Sequence, residues 1–174
     1  MNNGIDISDW QMFSVKTLFD HFENGMADGQ SISDGDNCLY LGAKKSENCV
    51  MRHCAYDESI THKGNCIVFI CNGEGSVGYA NYIDRPFIAS KDLVMDYANW
   101  MNERRGLFVA TVLCLERPKY SFGRKWKRHL MDTCILLPAK KLGDMAVPDW
   151  DFMDTFIGEM ERERMRDLIE RFPN

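Results

Sequence analysis

Short apolar runs separated by polar and glycine-rich stretches occupy most of the chain, and this pattern predicts β-strands joined by loops. Residues 66–71 form a nearly continuous apolar run, which is typical of a central strand that is buried on both faces. Further strands are predicted around Phe13, at 38–43 and at 79–87. A loop is predicted at 26–36, where Gly, Asp and Ser accumulate.

A helical period replaces this pattern in the last part of the chain. From 149 to 172 apolar residues recur every three or four positions, which predicts an amphipathic helix on the order of 35 Å long. Asp149 is suited to cap its first turn, and Gly158 weakens it by about 1 kcal/mol relative to alanine. The apolar stripe packs either on its own domain or on a partner, and it contains Trp150, Met153, Ile157, Met160, Leu168, Ile169 and Phe172.

Three shorter segments have helical features. Apolar residues lie at helical spacing in 18–22 and in 90–103, so the first is interpreted as a helix and the second as wholly or partly helical. Residues 107–115 are apolar almost throughout, which fits a buried strand or a buried helix. The whole pattern predicts an α+β (mixed α/β) fold, with a mixed β-sheet in a globular domain at 1–147 and a C-terminal helix at 148–174.

The acidic charge of the chain is concentrated in this terminal helix. The 174 residues carry a net charge of −5, and residues 149–174 hold eight acids against four arginines. Residues 1–148 are therefore almost neutral, with 18 acids and 17 bases. A near-neutral body has modest affinity for phosphates, so a nucleic-acid function needs a local basic surface and a partner that adds charge.

The composition of the chain excludes several classes of protein. The chain is 45% hydrophobic and 27% charged, which is ordinary for a globular domain and unlike a disordered one. No apolar run approaches the length of a membrane span, and the first residues lack the basic and apolar regions of a secretory signal. We therefore expect a cytoplasmic protein without membrane contact. Its seven cysteines form no Cys-x-x-Cys pair and are expected to be reduced thiols.

The strongest local indication of function is a segment rich in basic and aromatic side chains. Residues 117–128 contain six Lys and Arg side chains and no acid, interleaved with Tyr120, Phe122 and Trp126. Cations neutralise phosphates and aromatic rings stack on bases, so this mixture is typical of a nucleic-acid contact. Gly123 permits a tight turn, which places the side chains at the tip of a loop. The alternative is a solvated basic hairpin beside ordinary core aromatics.

Two further motifs follow the basic segment in a fixed order. Residues 134–138 read Cys-Ile-Leu-Leu-Pro, and residues 148–150 read Pro-Asp-Trp at the start of the long helix. The three motifs in this order resemble the target-recognition domains of type I restriction–modification specificity subunits. Those domains have a basic loop like 119–125, then a strand that ends in Leu-Leu-Pro, and then a helix that starts with Pro-Asp-Trp. Type II systems that carry a similar module share the resemblance. It extends over nearly the whole chain and favours a helix at 107–115.

The resemblance implies a non-catalytic specificity module that needs no cofactor. Such a module binds double-stranded DNA, reads one half of a bipartite site and presents a DNA methyltransferase subunit, with its translocase or nuclease, to that site. Family subunits usually carry two recognition domains and two spacer helices, whereas this chain has one of each. A half-subunit that forms a homodimer through the C-terminal helix is expected, and one module of a split system, a decoy or a regulator are alternatives. From a different class, a protein-interaction module or inhibitor would bind a restriction–modification complex without reading DNA.

The expected DNA contacts lie in three segments. Arg124 is the candidate base contact because arginine pairs bidentately with guanine, and the other cations of the basic loop are candidate phosphate contacts. Lys44 and Lys45 precede residues 47–49, where the family often has an Asn-Asn-Gly-like turn and this chain has Glu-Asn-Cys. The glycine-rich stretch 72–78 permits close backbone approach. The full set is Lys119, Tyr120, Ser121, Gly123, Arg124, Lys125, Lys127, Arg128, Lys44, Lys45, Gly75 and Ser76.

Competing chemistries fit less well. Gly73-x-Gly75-x-x-Gly78 matches a dinucleotide fingerprint formally, but an aromatic strand pattern follows it where a helix is required. A zinc site built from the cysteines and histidines between 49 and 66 would have spacings unlike any standard finger. The chain also has no Pro-Pro pair for a methyltransferase tetrapeptide and no Gly-x-Ser-x-Gly elbow. We therefore predict no catalytic residues, no metal and no cofactor.

Overall fold

The computed structural model describes residues 5–121 and 123–172. The helices in this part of the chain are α1 (Val15–Leu18), α2 (Glu103–Cys114) and α3 (Trp150–Arg171). The strands are β1 (Gln11–Ser14), β2 (His21–Asn24), β3 (Cys38–Leu41), β4 (Val50–Cys54), β5 (Thr61–His62), β6 (Cys66–Ile70), β7 (Ala80–Ile83), β8 (Phe87–Ala89), β9 (Leu93–Tyr97), β10 (Cys134–Leu137), β11 (Ala139–Leu142) and β12 (Met145–Pro148). The predicted α+β fold, with a long C-terminal helix, is confirmed.

Two four-stranded sheets form the body of the protein. The first, which we call the helix-side sheet, has the order β2-β9-β6-β7 and is antiparallel throughout. The second, the loop-side sheet, has the order β4-β3-β8-β5 and is mixed because β3 and β8 run parallel. The antiparallel pairs β1–β10 and β11–β12 lie outside these sheets.

Strand β6 is buried on both faces because it lies between two layers of the core. Its side chains alternate, so Ile67 and Phe69 pack beneath the helices whereas Val68 and Ile70 pack against the loop-side sheet. All five residues of the strand are buried. The continuous apolar run predicted this position correctly, since alternation of polar and apolar residues is expected only where one face meets water.

Two predicted helices are wrong. Residues 90–103 contain β9, and the helix begins only at Glu103, where the Asn102 side chain accepts a hydrogen bond from the backbone N–H of Arg105. Residues 18–22 span the end of the single-turn α1 and the start of β2, which pairs with β9. Both errors have one physical cause, because β9 pairs with β2 and β6 and is buried on both faces along most of its length. Long-range strand pairing here overrides a local helical period.

The two halves of α3 have different surroundings. Asp149 caps the helix as predicted, since its carboxylate accepts a hydrogen bond from the backbone N–H of Phe152 at 3.2 Å. Met153 is fully buried and belongs to the main core beneath α2, and Trp150 stacks on Trp100 with ring centroids 4.2 Å apart. From 159 to 172 every residue is exposed. The helix therefore starts inside the domain core and ends in solvent.

Gly158 lies where α3 crosses α2. A Cβ atom at this position would meet the guanidinium of Arg104 at 3.0 Å, and that guanidinium pairs with Glu161 at 2.9 Å. Beside it, Arg105 Nε donates to Asp154 Oδ2 at 2.5 Å. The glycine therefore makes room for an arginine that ties the two helices together. No helix in the described residues is long and apolar enough to cross a membrane.

Five of the seven cysteines are buried, whereas Cys114 is half-buried and Cys134 is exposed. Burial raises the pKa of the Cys49 and Cys66 thiols to about 12, so both are protonated at neutral pH. Within residues 5–121 and 123–172, no three His, Cys, Asp or Glu side chains form a group that could hold a metal ion.

Candidate nucleic-acid interface

Three segments that are far apart in the sequence meet at one end of the helix-side sheet. They are the turn at 43–49, which we call the left-handed turn, the glycine turn at 72–78, and the basic loop at 116–129. The hydroxyl of Ser76 donates to the carbonyl of Ala43 at 3.0 Å, which joins the first two. A Cβ atom on Gly78 would lie 2.9 Å from Cα of Arg117, so the second packs directly on the third. We call this surface the three-loop face.

The glycine turn is held in place by backbone conformations that favour glycine. Gly73, Gly75 and Gly78 have φ values of +122°, +72° and +94°, which lie outside the regions that other residues adopt readily. A Cβ atom on Gly73 would meet Ala43 at 2.6 Å, whereas the space beside Gly75 is open. Strand β7 begins two residues after the turn, so no helix begins there, as the sequence predicted. Gly75 is thus the position where a ligand can approach the backbone.

The left-handed turn is strained because it has no glycine. Glu47, Asn48 and Cys49 have φ values of +53°, +49° and +60°, a conformation that costs non-glycine residues roughly 1 kcal/mol each. The resemblance drawn from the sequence suggests an Asn-Asn-Gly-like turn at this place, and Asn and Gly adopt such dihedral angles more readily than Glu and Cys do. The departure in sequence therefore leaves a left-handed turn, at an energetic cost.

The root of the basic loop is part of the hydrophobic core. The indole of Trp126 is fully buried, lies edge-on to Phe69 with ring centroids 5.0 Å apart, and donates its Nε1–H to Thr133 Oγ1 at 3.0 Å. Tyr120 stacks on Trp126, and its hydroxyl also reaches Thr133 Oγ1 at 3.0 Å. The expectation that these aromatic rings stack on bases is wrong for Trp126, because its ring has no accessible face. Phe122 lies outside the described residues.

The tip of the basic loop is exposed and cationic. The backbones of Ser121 and Arg124 exchange two hydrogen bonds, N–H to O=C, at 3.2 and 3.0 Å, which closes a tight turn. Arg124, Lys125, Lys127 and Arg128 are all exposed, and none forms an ion pair with any residue that the structure describes. With Gly123 and His129, three of them line a shallow pocket of about 270 Å³.

Other predicted contact residues are less available. Lys44 pairs with Glu47 and also donates to the carbonyl of Val50 at 3.2 Å, and Lys119 pairs with Glu116. Ser76 is buried, and its hydroxyl is used within the face. Lys45 is exposed and has no ion pair in the described part of the chain. The cations of the face are therefore divided into neutralised and unneutralised groups.

Two residues of the face were missed by the sequence reasoning. Arg117 holds its guanidinium over the ring of Tyr79, with 4.8 Å from Cζ to the ring centroid. Glu74 is exposed at the tip of the glycine turn and lines a cleft of about 320 Å³ together with Gly75, Arg117 and Ser121. The basic run itself could have identified Arg117, whereas nothing in the sequence places Glu74 beside Ser121.

A second exposed surface, which is apolar, lies along α3. Met165, Leu168, Ile169 and Phe172 are 57%, 37%, 66% and 76% exposed. Closer to the domain, an apolar groove of about 540 Å³ runs between the N-terminal segment, α2, β10 and α3, and its lining includes Ile7, Trp10, Leu115, Leu136, Phe156 and Met160. The predicted partner residues are thus divided, because Trp150, Met153 and Ile157 pack on the domain whereas Met160, Leu168, Ile169 and Phe172 are exposed.

The architecture is similar to that of solved specificity subunits. A type I restriction–modification S subunit from M. genitalium has 14% identity and a TM-score of 0.56, and the HsdS subunit from Thermoanaerobacter tengcongensis has 12% identity and a TM-score of 0.57. A structure of a type I R-M system assembly has 13% identity and a TM-score of 0.56. No family model and no curated protein matches the chain.

The likeness covers nearly all of this chain and less than half of those proteins. Each alignment spans 94% of this chain, but only 44%, 40% and 41% of the three structures. At such low identity the likeness concerns the fold. The resemblance drawn from the three sequence motifs is confirmed at that level, since the chain has the fold of the aligned part of these type I subunits.

Proposed function

We propose that this chain is the DNA target-recognition module of a restriction–modification system, without catalysis of its own. It binds double-stranded DNA through the three-loop face and positions a methyltransferase subunit there. The observation that carries the proposal is the tip of the basic loop, where four exposed cations lack ion pairs within the described residues and stand on a root fixed by Trp126. The fold likeness to S subunits supports the same role.

Unpaired cations on a fixed loop suit phosphate binding. A Lys or Arg already paired with a carboxylate must break that pair before it meets a phosphate, whereas Arg124, Lys125, Lys127 and Arg128 need not. The buried root also keeps the loop from reordering on binding, which lowers the entropic cost of association. The near-neutral body supplies little further attraction, so a partner subunit contributes the rest.

The residues of the face divide into roles. Lys125, Lys127 and Arg128 bind phosphates, with Lys45 and the open backbone at Gly75 as further contacts. Arg124 reads a base edge, because its guanidinium can donate two hydrogen bonds to guanine. Tyr120, Ser121 and Gly123 shape the turn that presents it. Lys44, Lys119 and Ser76, whose polar groups are engaged within the face, maintain its structure.

Salt dependence distinguishes these roles. We expect Lys125→Ala to weaken binding of the assembled complex to every duplex and to lower the slope of log affinity against log salt by about one unit. Arg124→Ala should cost about 1–3 kcal/mol on the cognate duplex and much less on a scrambled one. Lys63→Ala is the matched control, since this exposed lysine lies at the opposite end of β6. Equal affinities for parent, Lys125→Ala and Arg124→Ala would exclude the loop as the reader.

We further propose that the exposed half of α3 forms a homodimer. The four apolar side chains between Met165 and Phe172 would enter the apolar groove of a second copy, and the groove of the first copy would receive the same segment in return. Such a two-fold contact buries two apolar surfaces at once. Two domains related in this way would read a palindromic, interrupted site. The same helix would contact the methyltransferase subunit.

Oligomeric state tests this assembly. Leu168→Asp places a charge in the apolar contact, so we expect light scattering to show a dimer for the parent and a monomer for the variant. Arg166→Gln changes the net charge by the same amount and lies away from the apolar stripe, so it should remain dimeric. A monomeric parent that also fails to co-elute with a methyltransferase subunit would contradict the proposal.

The second candidate function is a protein-interaction module that occupies a restriction–modification complex through α3 without reading DNA. The exposed apolar half of the helix is the observation that favours it. The two functions differ in one result, because an interaction module would bind the methyltransferase subunit and leave its affinity for DNA independent of the basic loop.

A further inference from the structure

Glu74 is an exception on a face otherwise rich in cations. The left-handed turn, the glycine turn and the basic loop contain three acids, namely Glu47, Glu74 and Glu116. Glu47 pairs with Lys44, and Glu116 pairs with Lys119. The carboxylate of Glu74 has no ion pair or hydrogen bond with any residue between 5 and 172 that the structure describes, although it is surrounded by basic segments.

The position of Glu74 is fixed by its neighbours. Gly73 and Gly75, on either side of it, have left-handed φ values, and Ser76 is anchored to Ala43. Gly78 packs on the backbone of Arg117, which ties the end of the turn to the basic loop. Glu74 therefore lies at the rim of the cleft shared with Ser121, whose backbone is paired with that of Arg124.

A carboxylate in this position is unfavourable for binding phosphates but suits a base edge. It repels the DNA backbone, so it weakens sequence-independent binding. It accepts hydrogen bonds and donates none, and in the major groove cytosine offers the N4 amino group as its hydrogen-bonding contact. Adenine presents its N6 donor beside the N7 acceptor, which a second carboxylate oxygen would oppose.

We propose that Glu74 reads a cytosine amino group and is a specificity-determining residue of the three-loop face. The inference rests on the proposed DNA-binding function, and it adds a chemical class of base to that function. Arg124 lines the separate pocket at the tip of the basic loop, and its backbone pairs with that of Ser121 in the cleft of Glu74. The two side chains then read complementary chemistries, guanine by donation and cytosine by acceptance.

Selection of binding sites from a pool of randomised duplexes tests this, with the assembled complex as the selecting protein. The parent should enrich sites with cytosine at one defined position. Glu74→Gln should shift that position towards adenine, because a glutamine amide both donates and accepts and so matches the N6 and N7 pair. Glu74→Ala should lose the preference there and keep it elsewhere.

Affinity measurements provide the second readout. On the selected duplex Glu74→Ala should bind roughly 5- to 150-fold more weakly, which corresponds to the loss of one good base contact. On a scrambled duplex it should bind more tightly, because a repulsive charge is gone. Glu58→Gln removes an exposed acid near the far end of β4 and should change neither result.

Each outcome separates this inference from the proposed function. Identical selected sites for the parent and both Glu74 variants, or a uniform rise in affinity for all duplexes, would overturn the role of Glu74 and leave DNA binding intact. A parent complex that enriches no sequence would overturn the proposed function as well.

Discussion

The root and the tip of the basic loop come from the same twelve-residue segment, 117–128, but have opposite surroundings. At the root, Trp126 is fully buried and shares the hydroxyl of Thr133 with Tyr120. At the tip, Arg124 and Lys125 are exposed and have no ion pair in the described chain. The difference teaches that a run of mixed aromatic and basic residues does not by itself indicate base stacking. Here the aromatic residues secure the loop and the cations remain available for a ligand.

The same division occurs in α3. Its first half uses Met153 to complete the core, and its second half leaves Ile169 and Phe172 in solvent. At 3.6 residues per turn, the apolar stripe of the second half is rotated from that of the first by about a third of a turn. The helix therefore carries one apolar surface that packs on its own domain and another that is exposed.

The largest expected effect is at the root. Trp126→Ala should lower the free energy of unfolding by about 3–5 kcal/mol, because it empties a closely packed site beside Phe69 and leaves the Thr133 hydroxyl with fewer partners. Lys125→Ala at the tip should change it by less than about 0.5 kcal/mol. Denaturant unfolding followed by circular dichroism measures both. A Trp126→Ala variant as stable as Lys125→Ala would contradict the division into root and tip.

A smaller effect concerns a carboxyl group on the face of the sheet that carries the root. Asp96 is fully buried on β9 between Phe22 and Ile67, and its carboxyl oxygens have no hydrogen-bond partner in the described residues. Burial raises its pKa from 3.8 to about 9. The folded state therefore holds this proton more tightly than the unfolded state does. This difference in proton affinity contributes its full stabilisation below pH 4, and the contribution is lost as the pH rises to about 9.

Denaturant unfolding at pH 6 and pH 8 measures this loss. The free energy of unfolding should fall by up to about 1.4 kcal/mol per pH unit, which is the limit for one proton. Asp96→Asn cannot ionise, so its stability should depend less on pH. Asp144→Asn, at an exposed acid in the β11–β12 hairpin, should behave as the parent does. Parallel pH profiles for the parent and Asp96→Asn would show that Asp96 is ionised in the folded protein.

Much of the fold could be predicted from local signals. The apolar run gave β6, the Pro-Asp-Trp motif with its Asp149 cap gave the start of α3, and the glycines of 72–78 gave a turn followed by β7. The errors at β2 and β9, and the unpredicted β11–β12 hairpin, concern elements whose pairing depends on distant or weakly patterned strands. Asp96 also lies inside the buried strand β9, although aspartate is depleted in strands, so local propensity argues against a strand there.

The site was less predictable than the fold. The three segments of the candidate interface were identified separately, but their contacts at Ala43–Ser76 and Gly78–Arg117 depend on tertiary structure. Charge pairing was only partly visible in the sequence. Glu116 lies three residues before Lys119, a spacing that permits a local ion pair, whereas no acid lies within four residues of Lys125. Only the structure shows that Lys125 also meets no distant acid in the described residues. A list of cations therefore becomes a site only when the unpaired ones are known.

The affinity of the assembled complex for cognate and scrambled duplexes, measured at several salt concentrations, tests the central claim most directly. For the combined Arg124→Ala, Lys125→Ala and Lys127→Ala variant we predict a large loss of affinity on both duplexes and a salt slope lower by about two to three units. Unfolding of this variant should match the parent, since all three side chains are exposed. A folded triple variant that binds cognate DNA as the parent does would show that the basic loop is not the reader.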